Sequence, residues 1–118
     1  MARPFLSLLL LLAAAAAVPA QEKQGVLLLH SYTSTLSWTR EQERGILGAV
    51  AEGRTVDSRL ELFIEYMDTK RANSGRYYQR LADLLETKYP PGSVDYIVAT
   101  DNNALEFLRI YRDQLFGP

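Results

Sequence analysis

Three polar segments of the sequence hold the side chains best suited to chemistry, and each directly follows an apolar run. Residues 30–38 contain an imidazole, several hydroxyls and two aromatic rings. Residues 68–71 contain a carboxylate, a hydroxyl and two basic groups, and residues 100–103 contain a hydroxyl, a carboxylate and two amides. Gathered at one place, such groups would suit a small polar molecule that carries amine or carboxylate groups.

Enzymatic readings of these segments are weaker than a binding reading. No glycine-rich turn or phosphate-binding lysine motif follows the first apolar run, so a nucleotide site is not indicated. His30 beside Ser31 or Ser34 contains the residue types of a hydrolase, but the nucleophile-elbow motif is absent. Asp101 ends the third run as in phosphoacceptor domains, yet no acidic residue follows the first run to hold their metal ion. We therefore predict no cofactor and keep a secreted α/β hydrolase that uses His30 or Asp101 as an alternative.

Several of the same residues also have structural interpretations, which the sequence leaves open. His30 could end the strand with its ring bonded to the backbone, and Trp38 could be a core residue at the start of a helix. Asp101 could serve as the N-cap of the helix that follows it. Lys70 and Arg71 could form a solvated surface pair.

The apolar runs predict three strands, and the stretches between and after them predict three helices. A run without polar alternation is typical of a strand buried on both faces, and the alternation in the second run indicates a sheet edge. The predicted strands are Val26–Leu29, Leu60–Glu65 and Val94–Ala99, and the predicted helices span about 39–53, 75–89 and 103–115. Strands that alternate with helices imply an α/β fold, a three-layer parallel sheet in the order β-α-β-α-β-α. All three polar segments would then lie along one edge of the sheet.

The ends and faces of the predicted helices follow from local signals. Thr39 with Gln42 has the form of a capping box, and Asn73 or Ser74 can cap the second helix. Residues 90–92, Pro-Pro-Gly, would end that second helix. The predicted buried faces are Trp38, Gln42, Ile46, Ala49, Val50 and Gly53 in the first helix, Tyr78, Leu81, Ala82, Leu85 and Tyr89 in the second, and Ala104, Leu108, Tyr111 and Leu115 in the third.

Composition limits the remaining classes of function. The 118 residues carry a formal net charge of −1, which gives no reason to expect nucleic acid as a partner. The chain has no cysteine and one histidine, so disulfides, thiolate metal sites and histidine-rich metal sites are excluded.

The N-terminus has the features of an export signal. Arg3 precedes the apolar stretch Phe5–Val18, and Val18-Pro19-Ala20 places small residues where signal peptidase cuts. The stretch is shorter than the roughly 20 residues of a membrane-spanning helix. We predict a signal peptide over residues 1–20, cleavage after Ala20, a periplasmic location and one domain over residues 21–118.

The segments VLLLHSY, EYMDTKR and DYIVATDNNALEFL, with Trp38 between the first two, resemble one bacterial family. The resemblance is to periplasmic-binding-protein-like sensor domains, which are related to the substrate-binding proteins of ABC transporters. It covers nearly all of Gly25–Pro118. It implies a type I periplasmic-binding fold, of which this chain would hold the first part of the N-terminal lobe.

The resemblance also implies a function and a set of site residues. The implied function is the input domain of a two-component sensor histidine kinase, with a free solute-binding protein of an ABC importer as the alternative. The implied ligand-binding residues are Ser31, Tyr32, Trp38, Asp68, Asp101 and Asn103. Family members continue into a fourth strand and a second lobe. We therefore expect a truncated fragment, a membrane attachment only through a downstream segment, and an unpaired sheet edge that could support a homodimer.

Overall fold

Strands and helices alternate through the computed structural model, which describes Ala17, residues 22–54 and residues 59–118. The elements are β1 (Gln24–His30), α1 (Ser37–Arg54), β2 (Leu60–Tyr66), α2 (Gly75–Lys88), β3 (Tyr96–Thr100) and α3 (Asp101–Phe116). The predicted α/β fold is thus confirmed. The predicted signal peptide and its cleavage site lie, apart from Ala17, outside the described residues.

The three strands form one parallel sheet in the order β2-β1-β3. The central strand β1 carries the longest apolar run, and Leu27, Leu28 and Leu29 are fully buried on its two faces. The alternating strand β2 lies at an edge, as its sequence pattern predicted. At the carboxyl end of β1, His30 pairs with Tyr66 of β2 on one side and with Thr100 of β3 on the other. The carboxyl ends of all three strands therefore share one edge of the sheet.

One face of the sheet packs against α2 and α3 and forms the hydrophobic core. Leu27 and Leu29 of β1 meet there with buried residues of both helices and the loop after β2: Met67, Ala82, Leu85, Tyr89, Ala104, Phe107 and Leu115. The apolar faces predicted for the second and third helices all belong to this cluster or pack against it. The predicted face omitted Phe107, which is fully buried and makes an edge-on contact with Tyr78.

The opposite face of the sheet carries α1, which gives the predicted three layers. Successive strand residues point to opposite faces, so Leu28 and His30 point away from the core cluster. On that side, Nε2 of His30 lies 3.2 Å from Oε2 of Glu43, a residue of α1. The helix is less buried than its pattern predicted: Thr39 is buried, whereas Trp38 is 60% exposed. The interpretation of Trp38 as a core residue is therefore wrong.

Local chemistry accounts for the start of α2 and the end of α3, whereas the predicted start of α1 is wrong. Ser74 caps α2, because its Oγ accepts a hydrogen bond from the Tyr77 N–H at 3.2 Å. At the end of α3, Gly117 adopts a left-handed backbone with φ of 79°, which glycine permits without strain. The helix α1 begins at Ser37, so Thr39 lies inside its first turn and the predicted capping box is wrong.

Candidate functional site

The three polar segments meet at the carboxyl edge of the sheet, as predicted, and backbone hydrogen bonds join them there. The Met67 N–H donates to the His30 carbonyl at 2.8 Å, and the Thr69 N–H donates to the Ser31 carbonyl at 2.9 Å. On the other side, the Ser31 N–H donates to the Thr100 carbonyl at 3.3 Å. The loop after β1 is thereby fixed between the loops after β2 and β3.

Ser31 holds this edge together from the inside. Its hydroxyl is fully buried, donates to the Thr100 carbonyl at 2.6 Å and accepts from the Ala104 N–H at 2.7 Å. That second bond is made by an N–H in the first turn of α3, so it ties the loop after β1 to the start of this helix. Ser31, predicted as a ligand-binding residue, is thus placed where it positions α3 and does not face solvent.

The helix α3 begins at Asp101, two residues before the predicted start. The N-cap residue is Thr100, and its side chain makes no capping hydrogen bond. Asp101 follows the N-cap, so the interpretation of Asp101 as the N-cap is wrong. The hydroxyl of Ser31, which is distant in sequence, accepts a hydrogen bond from the Ala104 N–H in this first turn.

Asn103 and Thr69 link the second and third loops. The Asn103 side-chain Nδ2 donates to the Thr69 hydroxyl at 2.6 Å, and that hydroxyl donates to the Ser31 carbonyl at 2.7 Å. Thr69 is 3% exposed and Asn103 is half-buried. Thr69 lies in the second polar segment of the sequence, but it is not among the predicted site residues. Its only signal was its position directly after Asp68 in a polar segment.

Trp38 and Asp101 form an accessible pair on the outer side of the edge. The indole Nε1 of Trp38 donates to the two carboxylate oxygens of Asp101 at 3.1 and 3.3 Å. The side-chain amide of Gln42, one turn further along α1, lies 3.2 Å from Oδ2 of Asp101 when its nitrogen faces that oxygen. The first turns of α1 and α3 are joined here by an exposed ring and a carboxylate.

A pocket of about 360 Å³ opens between the first and second loops. It is lined by Thr33, Thr35, Leu36, Asp68, Lys70 and Arg71. Asp68 pairs with Arg71 across one turn, with Oδ2 3.1 Å from Nε. The ammonium of Lys70 lies 4.5 Å from the centre of the Tyr32 ring. Among the predicted ligand-binding residues, Asp68 therefore lines the pocket and Tyr32 holds a lysine beside it.

Asp68 and Asp101 share an unusual backbone conformation. Their φ angles are 56° and 66°, and among the described residues they alone are non-glycine residues with positive φ. Asp101 directly follows β3, and Asp68 follows β2 by two residues. A left-handed conformation costs a side-chain-bearing residue on the order of 1–3 kcal/mol and is concentrated at functional sites. The two aspartates with strained backbones lie at the same edge of the sheet.

His30 lies beneath this edge and not on it. It is fully buried, and its Nδ1 lies 2.8 Å from the Thr100 hydroxyl. Its ring stacks on Tyr66, with 5.2 Å between ring centres, and the Tyr66 hydroxyl donates to Oε2 of Glu43 at 2.5 Å. His30 ends the strand as that interpretation had it, but its ring contacts the side chains of Thr100 and Glu43 and not the backbone.

Burial lowers the pKa of His30 below its ordinary value, although the nearby carboxylates of Glu43 and Asp101 act in the opposite direction. Burial and the hydrogen bond to Glu43 raise the pKa of Tyr66 to about 12. Both rings are therefore neutral at pH 7.

We expect the free energy of unfolding to fall as the pH is lowered through the range in which His30 titrates. The unfolded imidazole has a pKa near 6.5 and the folded one a lower pKa, so between the two values the unfolded chain binds more protons. This contribution to stability is complete above the unfolded pKa and is lost below the folded pKa. Each unit of lowering is worth about 1.4 kcal/mol.

Urea unfolding at about pH 7.5 and at about pH 5.5 measures this dependence. His30 is the single histidine of the chain, so His30→Asn is expected to flatten the dependence over this range. The control Tyr66→Phe removes a neighbour of Glu43 but keeps the imidazole, and should retain it. An unchanged dependence in His30→Asn would show that other groups cause it.

The geometry gives no support to the pairing of His30 with Ser31 as base and nucleophile. His30 directs Nδ1 at the Thr100 hydroxyl, whereas the Ser31 hydroxyl bonds to the Thr100 carbonyl and the Ala104 N–H. Neither side chain reaches solvent.

Within residues 22–54 and 59–118, no helix has the length and apolar character needed to cross a membrane. In the same residues, no group of three or more histidine, cysteine, aspartate or glutamate side chains could hold a metal ion. No protein-family model, curated protein or solved structure matches this chain.

Proposed function

We propose that this chain is an extracytoplasmic module that binds a small polar molecule at the carboxyl edge of its sheet. The main support for the proposal is that some residues of this edge fix the loops, whereas others stay accessible to a ligand. Buried bonds of Ser31, Thr69 and Asn103 fix the three loops, whereas Trp38 remains exposed beside Asp101. Open parallel sheets bind their ligands at this edge.

The role as the input domain of a sensor histidine kinase is part of the same proposal, and it rests on the resemblance of the three sequence segments. Export through a signal peptide and a periplasmic location rest on the N-terminal sequence. The parallel α/β fold is compatible with the first part of a periplasmic-binding lobe. In such a role, closure around the ligand would move two lobes about a hinge.

The single tryptophan of the chain allows a direct test, because Trp38 lies in the proposed site. We expect a screen of small polar metabolites to yield a compound that changes Trp38 fluorescence in a saturable way. Asp101→Asn should weaken that binding by about tenfold or more, because a charge-assisted hydrogen bond contributes roughly 1.5–3 kcal/mol. Asparagine tolerates the left-handed backbone at this position, so the fold should remain intact.

The matched control is Asp113→Asn, which removes one carboxylate from the exposed side of α3, where Asp113 pairs with Arg112. It should leave the affinity unchanged. Equal losses in the two variants, or no saturable compound in the screen, would contradict binding at this edge.

A further inference from the structure

We propose that the pocket between the first and second loops binds the oxyanion group, carboxylate or phosphate, of a small molecule. Lys70 and Arg71 are its two cationic contacts. The inference rests on the proposed function, since it names the chemistry of the ligand. It starts from the pocket of about 360 Å³ that these residues line with Thr33, Thr35, Leu36 and Asp68.

Lys70 supplies a charge that no acidic side chain of the described residues neutralises. Its ammonium lies over the Tyr32 ring, 4.5 Å from the centre, and forms no ion pair with residues 22–54 or 59–118. A contact with a ring face holds the position of an ammonium without taking its three N–H donors. Lys70 is exposed, so these donors are available to a ligand.

Asp68 orients the Arg71 side chain but leaves part of its guanidinium available to a ligand. The Nε of Arg71 lies 3.1 Å from Oδ2 of Asp68, and its two terminal nitrogens make no hydrogen bond to a described side chain. The side chain is 82% exposed. The planar guanidinium can direct two parallel N–H donors at a carboxylate or phosphate, a geometry that lysine alone cannot provide.

The first loop adds a hydroxyl donor on the other side of the pocket. The hydroxyls of Thr33 and Thr35 lie 2.5 Å apart, and Thr33 Oγ1 also accepts from the Thr35 N–H at 3.2 Å. Only one of the two hydroxyl protons lies in the bond between them, whichever is the donor, so the other is free for a ligand. Arg40 fixes this loop by donating to the Thr35 carbonyl at 2.6 Å.

The electrostatic balance of the pocket favours an anion. Two cations, Lys70 and Arg71, face one carboxylate, that of Asp68. The helix α1 begins at Ser37, next to the lining residue Leu36, and places the partial positive charge of its N-terminus nearby. The volume lies at the small end of the range for ligand pockets, which suits a small metabolite.

Isothermal titration of the full 118-residue chain with sodium phosphate and with sodium succinate tests the inference. Sodium chloride keeps the ionic strength constant, and succinamide serves as the uncharged counterpart of succinate. We expect saturable binding of at least one anion and none of succinamide. The two anions distinguish phosphate from carboxylate as the preferred group.

Lys70→Gln and Arg71→Gln should each weaken that binding by about tenfold or more, the loss expected for one charge-assisted contact. Arg112→Gln, which makes the same change of charge on the exposed side of α3, is the matched control and should bind as the unchanged protein does. A similar loss in all three variants would overturn the assigned contacts, because it would reflect net charge alone.

Failure of this inference is distinguishable from failure of the proposed function. If neither anion binds but a compound from the fluorescence screen still depends on Asp101, the oxyanion assignment is wrong and the edge is still a binding site. If neither the anions nor any screened compound binds, both proposals are overturned.

Discussion

Phe107→Ala is expected to lower the free energy of unfolding by about 3–5 kcal/mol, which is a large share of the stability of a domain of this size. The ring is fully buried, lies edge-on to Tyr78 at 5.8 Å between centres and packs against Tyr111 at 5.1 Å. Truncation removes these contacts and leaves a cavity between α2 and α3. Urea unfolding followed by circular dichroism measures the loss.

The control for this prediction lies on the same helix. Ile110 is 53% exposed, so Ile110→Ala truncates an apolar side chain where little is buried. It should cost less than about 1 kcal/mol. Similar losses in the two variants would mean that Phe107 does not occupy the core position described here.

Gly25→Ala is expected to destabilise the fold by about 3 kcal/mol. A Cβ atom at this position would lie 1.9 Å from the backbone oxygen of Ser93 and 3.2 Å from Cε2 of Phe63. Because the closest atom belongs to the backbone, a change of rotamer cannot relieve the contact, and overpacking of this kind costs roughly 1–3 kcal/mol or more. The segment before β3 must move away from β1.

That movement would break specific bonds. The Gly25 N–H donates to Oδ2 of Asp95 at 2.8 Å, and the Asp95 N–H donates to the Gly25 carbonyl at 2.8 Å. Both bonds hold the start of β3 against β1. We therefore expect the loss in Gly25→Ala to include a weaker attachment of β3, visible as faster amide exchange in residues 96–100.

A second glycine provides a control of opposite sign. Gly48 is an interior residue of α1, and a Cβ built there meets no atom within 4 Å beyond its chain neighbours and the adjacent helix backbone. Gly48→Ala should therefore raise the free energy of unfolding by up to about 1 kcal/mol, the helix propensity difference. Two glycine-to-alanine changes in one chain are thus expected to differ in sign, and a loss at Gly48 would contradict the placement of α1.

The fold was predictable because its signals are local. The unbroken apolar run of β1 marked a central strand, the alternation in β2 marked an edge, and the stripes of α2 and α3 marked the helical faces that pack together. Ser74 and Gly117 are helix-end residues whose effect depends only on their immediate neighbours. Each of these features is determined by residues close to one another in the sequence.

The details of the site were not predictable because they depend on contacts between distant segments. Ser31 bonds to Thr100 and Ala104, 69 and 73 residues further along the chain, and no local pattern reveals that its hydroxyl faces inward. Trp38 has the register of a buried residue, yet it remains exposed because its indole N–H bonds to Asp101. The left-handed backbones of Asp68 and Asp101 also have no signature in sequence.

The buried hydroxyl of Ser31 has a mechanical consequence. Ser31 is hydrogen-bonded directly to the third loop and to the first turn of α3, and it is bonded to the second loop through Thr69. The three loops at this edge are therefore coupled and would move as one unit. A ligand could displace the three loops together. Closure of one loop alone over the ligand would break buried hydrogen bonds. In the proposed sensor role, the signal would be a change in the orientation of this edge, with the distances among Ser31, Thr69 and Asn103 unaltered.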